Sequence, residues 1–153
     1  MDVLLGSGST TGDMANVHRP LEGRDRIARA CLRRTCQNGV VLPAAFALRE
    51  SDHGKLSVDW VECRYVPNQE RNPAASFARL TKRLTLRPNE RVAVVSVEVV
   101  RSCTSGIKAL NAIEDSHDTN QCHAAIIGMS FPHDAEDLVL QSKLAEAVSE
   151  LLP

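Results

Sequence analysis

Aromatic side chains are scarce in this sequence, and so is any surplus of basic charge. Only 3% of the residues are Phe, Trp or Tyr. Proteins that bind single-stranded nucleic acid usually offer several aromatic side chains on which bases stack. The formal net charge is −1, whereas duplex-binding proteins usually carry a basic surplus against the phosphates. Both deficits argue against a nucleic-acid partner.

Long apolar runs and a disulfide framework are also missing. No stretch of about 18 consecutive apolar residues occurs, so we expect no membrane span. The start, MDVLLGSGST, has neither the basic region nor the long apolar region of a secretory signal. Cysteines number five, and their spacing matches no disulfide framework. We therefore predict a cytoplasmic protein with free thiols.

The composition predicts one folded domain behind a flexible leader. The chain has 153 residues, of which 43% are hydrophobic, as in an ordinary globular domain. Gly, Ser and Thr dominate its start, which predicts a flexible leader over 1–19 and a single domain over 20–153. The segment GSGSTTG lacks the Gly-Lys-Ser/Thr ending of a phosphate-binding loop.

Apolar periodicity and capping residues predict three helices. They cover residues 24–37, 72–84 and 135–152. Ile27 and Cys31 lie on one helical stripe of the first. Asn72 is a suitable N-cap for the second helix. Asp134 followed by Asp137 resembles a capping box at the start of the third.

Alternation and short apolar runs predict about four strands, at 44–49, 55–61, 91–101 and 123–129. The first two form an antiparallel hairpin in this interpretation. Valines fill both faces of the third strand, which is typical of a central strand. The fold class we expect is α+β: a single mixed, mainly antiparallel sheet of about four strands with three helices packed on it.

Three segments together resemble a family of uncharacterised small bacterial proteins. They are AFALRESDHGKLSVDWVE, ERVAVVSVEVV and DTNQCHAAIIGM. The family has a Leu-Ser-Val-x-Trp-x-Glu strand and, later, a Ser-His-Ala-x-Ile element, in which Cys122 here replaces the serine. The resemblance implies a shared fold over roughly residues 44–150. It implies no activity, because none is known for the family.

A short polar loop contains the candidate catalytic residues His117, Cys122 and His123. A cysteine beside a histidine can form a thiolate–imidazole pair for nucleophilic catalysis. Sequence neighbours on a strand point to opposite faces, so His117 or His53 would be a better base for Cys122 than His123. Cys and His are also zinc donors. No second ligand pair has finger-like spacing, so we predict neither a metal ligand set nor a cofactor.

The candidate binding residues are Trp60, Tyr65, Asp59, Glu62 and Glu98. Trp60 and Tyr65 are predicted to form an apolar patch that contacts another protein. Strand alternation places Asp59 and Glu62 on a solvated face. Glu98 interrupts the run of valines, and a buried carboxylate must be paired or protonated.

These residues allow three functions. The first is a non-catalytic accessory or protein-interaction domain of a bacterial system. The alternative is a small hydrolase or transferase that uses Cys122 with His117 or His123, and a second alternative is a zinc-stabilised binding domain. Ser57 and Ser96 lie in predicted strands without the G-x-S-x-G nucleophile elbow, which favours the non-catalytic role.

Overall fold

The computed structural model describes residues 18–153. Most of the predicted leader, 1–17, therefore lies outside the described residues. From Arg19 onward the chain is joined to the sheet, since the Arg19 carbonyl accepts a hydrogen bond of 2.7 Å from the amide of Glu114. Among the described residues, no helix combines the length and the apolar character that crossing a bilayer requires.

One antiparallel sheet organises the described residues. The strands are β1 Arg26–Cys31, β2 Cys36–Gln37, β3 Val40–Val41, β4 Leu56–Trp60, β5 Arg91–Ser96, β6 Asn111–Glu114, β7 His123–Ile127 and β8 Glu150–Leu152. The main sheet has the order β6-β7-β4-β1-β5-β8, and β2 and β3 form a separate hairpin. All neighbours in the main sheet are antiparallel. The α+β class is confirmed, but the sheet has six strands rather than about four.

Helices cover the two faces of the sheet unequally. They are α1 Pro73–Thr81, α2 Val97–Thr104 and α3 Ala135–Glu146, with short 3-10 turns at Pro43–Phe46, Glu50–Asp52 and Asn68–Glu70. On one face, α2 and α3 bury Val100, Leu140 and Leu144 in the larger apolar core. On the other face, α1 contributes Leu80 to a small second cluster that includes Val92.

The predicted helix over 24–37 is wrong, because its core is strand β1. Ile27 and Cys31 are both fully buried. A spacing of four residues places two side chains on one face of a helix and also on one face of a strand. Pairing with β4 and β5 on either side decides the structure. Asn38 and Gly39, which both have positive φ, turn the β2–β3 hairpin instead of ending a helix.

The valine-rich segment is strand only up to Ser96. The Ser96 side chain then accepts a hydrogen bond of 3.3 Å from the amide of Val99 and caps α2. Val97 and Val100, three residues apart, face the core of the molecule. Glu98 lies between them on the exposed side of α2, so its predicted place inside a buried strand is wrong.

The predicted hairpin and the end of the last helix also need correction. Residues 44–49 contain a 3-10 turn rather than a strand, although Phe46 is buried as expected. Helix α3 ends at Glu146, and residues 150–152 form the edge strand β8. On α3, Leu138 is 50% exposed.

The remaining strand and helix predictions are confirmed within a few residues. Strand β4 lies inside 55–61 and β7 inside 123–129. The Asn72 side chain caps α1 by accepting from the amide of Ala75 at 3.0 Å. Asp134 and Asp137 form the capping box of α3. These predictions rest on local signals, which tertiary contacts do not override here.

Candidate functional site

A side-chain hydrogen bond joins Ser57 of β4 to His123 of β7. The Ser57 Oγ lies 2.6 Å from the His123 Nε2. In the β4–β7 register, Ser57 pairs with Ala125 and Asp59 pairs with His123. Ser57 and His123 are therefore diagonal neighbours on one face, within reach of each other's side chains.

A second hydrogen bond determines which His123 nitrogen carries the proton. The His123 Nδ1 lies 2.9 Å from the backbone carbonyl oxygen of Asp115. A carbonyl oxygen only accepts, so in the neutral ring the proton is assigned to Nδ1. The Nε2 lone pair then accepts from the Ser57 hydroxyl. This is the tautomer that a general base for a serine requires.

The Asp115 carboxylate lies beside the same imidazole. Its Oδ2 is 3.3 Å from the His123 Nδ1 and 3.4 Å from the His117 Nε2. Its Oδ1 is 3.4 Å from the Lys55 Nζ and 3.7 Å from the His18 Nδ1. Ser57, His123 and Asp115 thus form a linear sequence of nucleophile, base and carboxylate.

Burial and neighbouring charges shift the pKa values of His123 and of Asp115. Burial lowers the pKa of His123, and the charge of His117 lowers it further, against the raising effect of the Asp115 backbone contact. Burial raises the pKa of the Asp115 carboxyl, but Lys55 and the two imidazoles more than offset it, so the net pKa is lowered. These directions favour a neutral His123 beside an ionised Asp115.

The loop between β6 and β7 positions the His117 ring over His123. The amide of His117 donates to the Asn120 carbonyl at 3.0 Å, and the amide of Asn120 donates to the His117 carbonyl at 3.1 Å. The ring centroids of His117 and His123 are 4.2 Å apart. Asn120 also donates from Nδ2 to Asp59 at 3.0 Å and accepts from the amide of Cys122 at 2.9 Å. The loop is therefore fixed at both ends.

Cys122 is joined to Cys63 by a disulfide whose two sulfurs are buried. The prediction of free thiols is wrong for this pair, because the β4–β7 pairing brings together residues 59 apart in sequence. In this oxidised form Cys122 has no thiolate to act as a nucleophile. Disulfides persist mainly in oxidising compartments, so the bond weighs against the cytoplasmic address, which stays a prediction.

The other described cysteines are free, and Cys31 is inert. Cys31 and Cys36 are buried, and Cys103 is half-buried. Burial raises the pKa of the Cys31 thiol to about 11. Only a thiolate is nucleophilic, so Cys31 is a structural residue of the core.

Asp59 is fully buried rather than solvated as predicted. Arg79 of α1 donates from Nη2 to Oδ2 at 2.8 Å and from Nε to Oδ1 at 3.3 Å. A guanidinium that contacts both carboxylate oxygens compensates a buried charge well. Asp59 is therefore committed to an internal ion pair.

The predicted binding residues lie apart from the Ser57 site or inside the protein. Trp60 is only 4% exposed, so it belongs to the core and not to a partner surface. The Tyr65 hydroxyl donates to Glu114 at 2.7 Å. Glu62 is paired with Arg26, whose Nε lies 2.7 Å from it. The Tyr65 hydroxyl and both carboxylate oxygens of Glu62 are therefore engaged in hydrogen bonds within the protein.

Sequence reasoning found His117 and His123 but missed Ser57 and Asp115 as their partners. Ser57 lacks the nucleophile elbow, and Asp115 stands in a polar loop among other acidic residues. The one available signal was strand alternation, which puts Ser57 on the face opposite Leu56 and Val58.

A cleft of about 390 Å³ lies elsewhere, between the β2–β3 hairpin and the end of α3. Val41, Val148 and Leu151 line it, and none of the Ser57 site residues does. Comparison with family models, with curated proteins and with solved structures finds no match. The site is therefore interpreted from its own geometry.

Proposed function

We propose that this protein is a small acyl-ester hydrolase with Ser57 as its nucleophile. The observation that carries the proposal is the 2.6 Å contact between the Ser57 Oγ and the His123 Nε2, made by the tautomer in which Nε2 accepts. A nucleophile and a base within hydrogen-bond reach, with the base oriented by a third group, is the arrangement of nucleophilic catalysis. This proposal differs in its nucleophile from the hydrolase predicted from the loop sequence: the nucleophile is Ser57 rather than Cys122.

Each residue has one role in the proposed reaction. The Ser57 Oγ attacks the ester carbonyl carbon while its proton moves to the His123 Nε2. The tetrahedral intermediate then breaks its bond to the leaving alkoxide, which takes that proton as an alcohol. A water molecule, deprotonated by the same nitrogen, attacks the acyl-enzyme and releases the acid and Ser57. The Asp115 carboxylate, 3.3 Å from Nδ1, stabilises the imidazolium in both steps.

The protein-interaction role predicted from the sequence loses its expected anchor, because Trp60 is buried. It stays a prediction without an assigned surface. The hydrolase proposal, in contrast, names a nucleophile that can be labelled.

A fluorophosphonate probe tests the proposal directly. An activated serine attacks the phosphorus, forms an Oγ–P bond and releases fluoride. We expect one modified peptide, carrying the label on Ser57, and hydrolysis of p-nitrophenyl acetate by the same protein. His123→Ala should slow labelling by about 100-fold or more, as loss of a general base does.

Two variants serve as controls for that experiment. Ser57→Ala should abolish the label, whereas Ser105→Ala, at an exposed serine after α2, should leave it unchanged. Circular dichroism verifies that each variant is folded. An unlabelled but folded wild-type protein, or a label that survives in Ser57→Ala, would refute the proposal.

A further inference from the structure

Three donor atoms beside Ser57 have the spacing of a metal site. Asp115, His117 and His123 each offer one ligand atom, and these atoms all lie within 4.8 Å of one another. The carboxylate Oδ2 is central, at 3.4 Å from the His117 Nε2 and 3.3 Å from the His123 Nδ1. All three residues come from the segment 115–123.

The two separations from the carboxylate oxygen match the edges of a zinc tetrahedron, and the two nitrogens lie within 4.8 Å of each other. Zinc binds histidine nitrogen and carboxylate oxygen at about 2.0–2.2 Å, which sets two tetrahedral ligands about 3.3–3.5 Å apart. A zinc ion can therefore bind Oδ2 and both nitrogens once the His123 Nδ1 gives up its contact with the Asp115 carbonyl. Two imidazoles and one carboxylate also leave the fourth position for water, as in many zinc sites.

Zinc binding and the proposed reaction of Ser57 require opposite tautomers of His123. A metal bound at Nδ1 needs the lone pair of that nitrogen, so the ring proton moves to Nε2. Nε2 then donates to the Ser57 Oγ and has no lone pair left to accept the serine proton. The Nδ1 contact with the Asp115 carbonyl, now 2.9 Å, is lost in exchange for the metal bond.

We infer that Asp115, His117 and His123 form a Zn²⁺ site, and that zinc bound there switches Ser57 off. The second half of this inference rests on the proposed function, while the first half does not. His123 needs no net proton transfer to solvent, because its ring proton moves from Nδ1 to Nε2. The ion is thus a reversible inhibitor that acts through the tautomer of His123.

Calorimetric titration of chelator-treated protein with ZnCl₂ tests the site. We expect saturable binding of one ion per chain. His117→Ala removes a ligand, and it should weaken zinc binding by about tenfold or more. Ser57→Ala should bind zinc as the wild type does, and so should His133→Ala, which removes an exposed histidine outside the site.

Labelling with the fluorophosphonate probe in the presence of ZnCl₂ tests the inhibition. Zinc should suppress labelling of the wild type and of His133→Ala, whereas His117→Ala should be labelled with zinc at the same rate as it is without zinc, whatever that rate is. Zinc binding that His117→Ala leaves unaltered would overturn the site, and labelling that bound zinc leaves unaltered would overturn the inhibition. If Ser57 never reacts but zinc binds through His117, the site stands and the hydrolase proposal fails.

Discussion

Two buried carboxylates, Asp59 in strand β4 and Asp115 just after strand β6, have opposite kinds of partners. Asp59 is 0% exposed and contacts the guanidinium of Arg79 through short hydrogen bonds. Asp115 is 8% exposed and is surrounded by three imidazoles and Lys55 at 3.3–3.7 Å. The same side chain therefore serves an internal ion pair in one place and an open donor cluster in the other.

The two carboxylates differ in whether their partners can change protonation state or bind a metal. A guanidinium keeps its charge under all ordinary conditions, and Arg79 and Asn120 together satisfy Asp59. The imidazoles near Asp115 can lose a proton, change tautomer or bind a metal. A carboxylate with such partners can take part in chemistry, whereas the Asp59 pair can only stabilise the fold. Asn120 contacts Asp59 and so joins the two clusters.

Removing the disulfide beside the Asp115 cluster should have the largest effect on stability. The bond closes a loop with a sequence separation of 59 residues, for which loop-closure entropy predicts about 4 kcal/mol of stabilisation. We expect the double variant Cys63→Ala/Cys122→Ala to lose about that free energy of unfolding, measured by urea denaturation without reductant. Cys103→Ala, at a free and half-buried cysteine, is the control. Equal midpoints for the double variant and the wild type would contradict the expectation.

Removing the cation of the Asp59 pair should have the next largest effect. Arg79→Ala leaves a fully buried carboxylate without its guanidinium, which costs about 3–5 kcal/mol in buried pairs. We expect about 3 kcal/mol, because the Arg79 side chain is 15% exposed and water can replace part of it. Lys82→Ala, at an exposed residue just after α1, should change the urea midpoint little. A similarly small change for Arg79→Ala would show that the pair is not needed.

Neutralising the second carboxylate should affect stability least. Asp115→Asn should change the free energy of unfolding by less than about 1 kcal/mol, because its Lys55 and His117 partners are 41% and 51% exposed and water screens them. The rate at which the fluorophosphonate probe labels Ser57 should nevertheless fall in this variant, since the His123 imidazolium loses its carboxylate partner. Glu98→Gln, at an exposed carboxylate on α2, should alter neither quantity. A loss of stability as large as that of Arg79→Ala would make Asp115 a structural residue.

The confirmed predictions depend on residues that are near one another in sequence. Asn72 caps α1 because its side chain reaches an amide three residues later. Asp134 does the same for α3. The alternation of β4 and the apolar run of β7 are equally local, and both strands lie where predicted.

The wrong predictions arose where a local pattern allows two structures. A four-residue spacing of Ile27 and Cys31 suits a helix and a strand alike, and two neighbouring strands selected the strand. The valine run favours a strand throughout, yet the cap at Ser96 turns its second half into α2. In both cases packing against other elements outweighed intrinsic propensity.

By itself the sequence determined the α+β class and the caps of α1 and α3; that the loop with His117 and His123 has a function stays a prediction. Only the tertiary structure decided that Ser57 contacts His123, 66 residues away, and that Cys63 bonds to Cys122. Both contacts follow from the pairing register of β4 with β7. A register is a property of two strands together, and one slip by a residue would turn Ser57 to the other face.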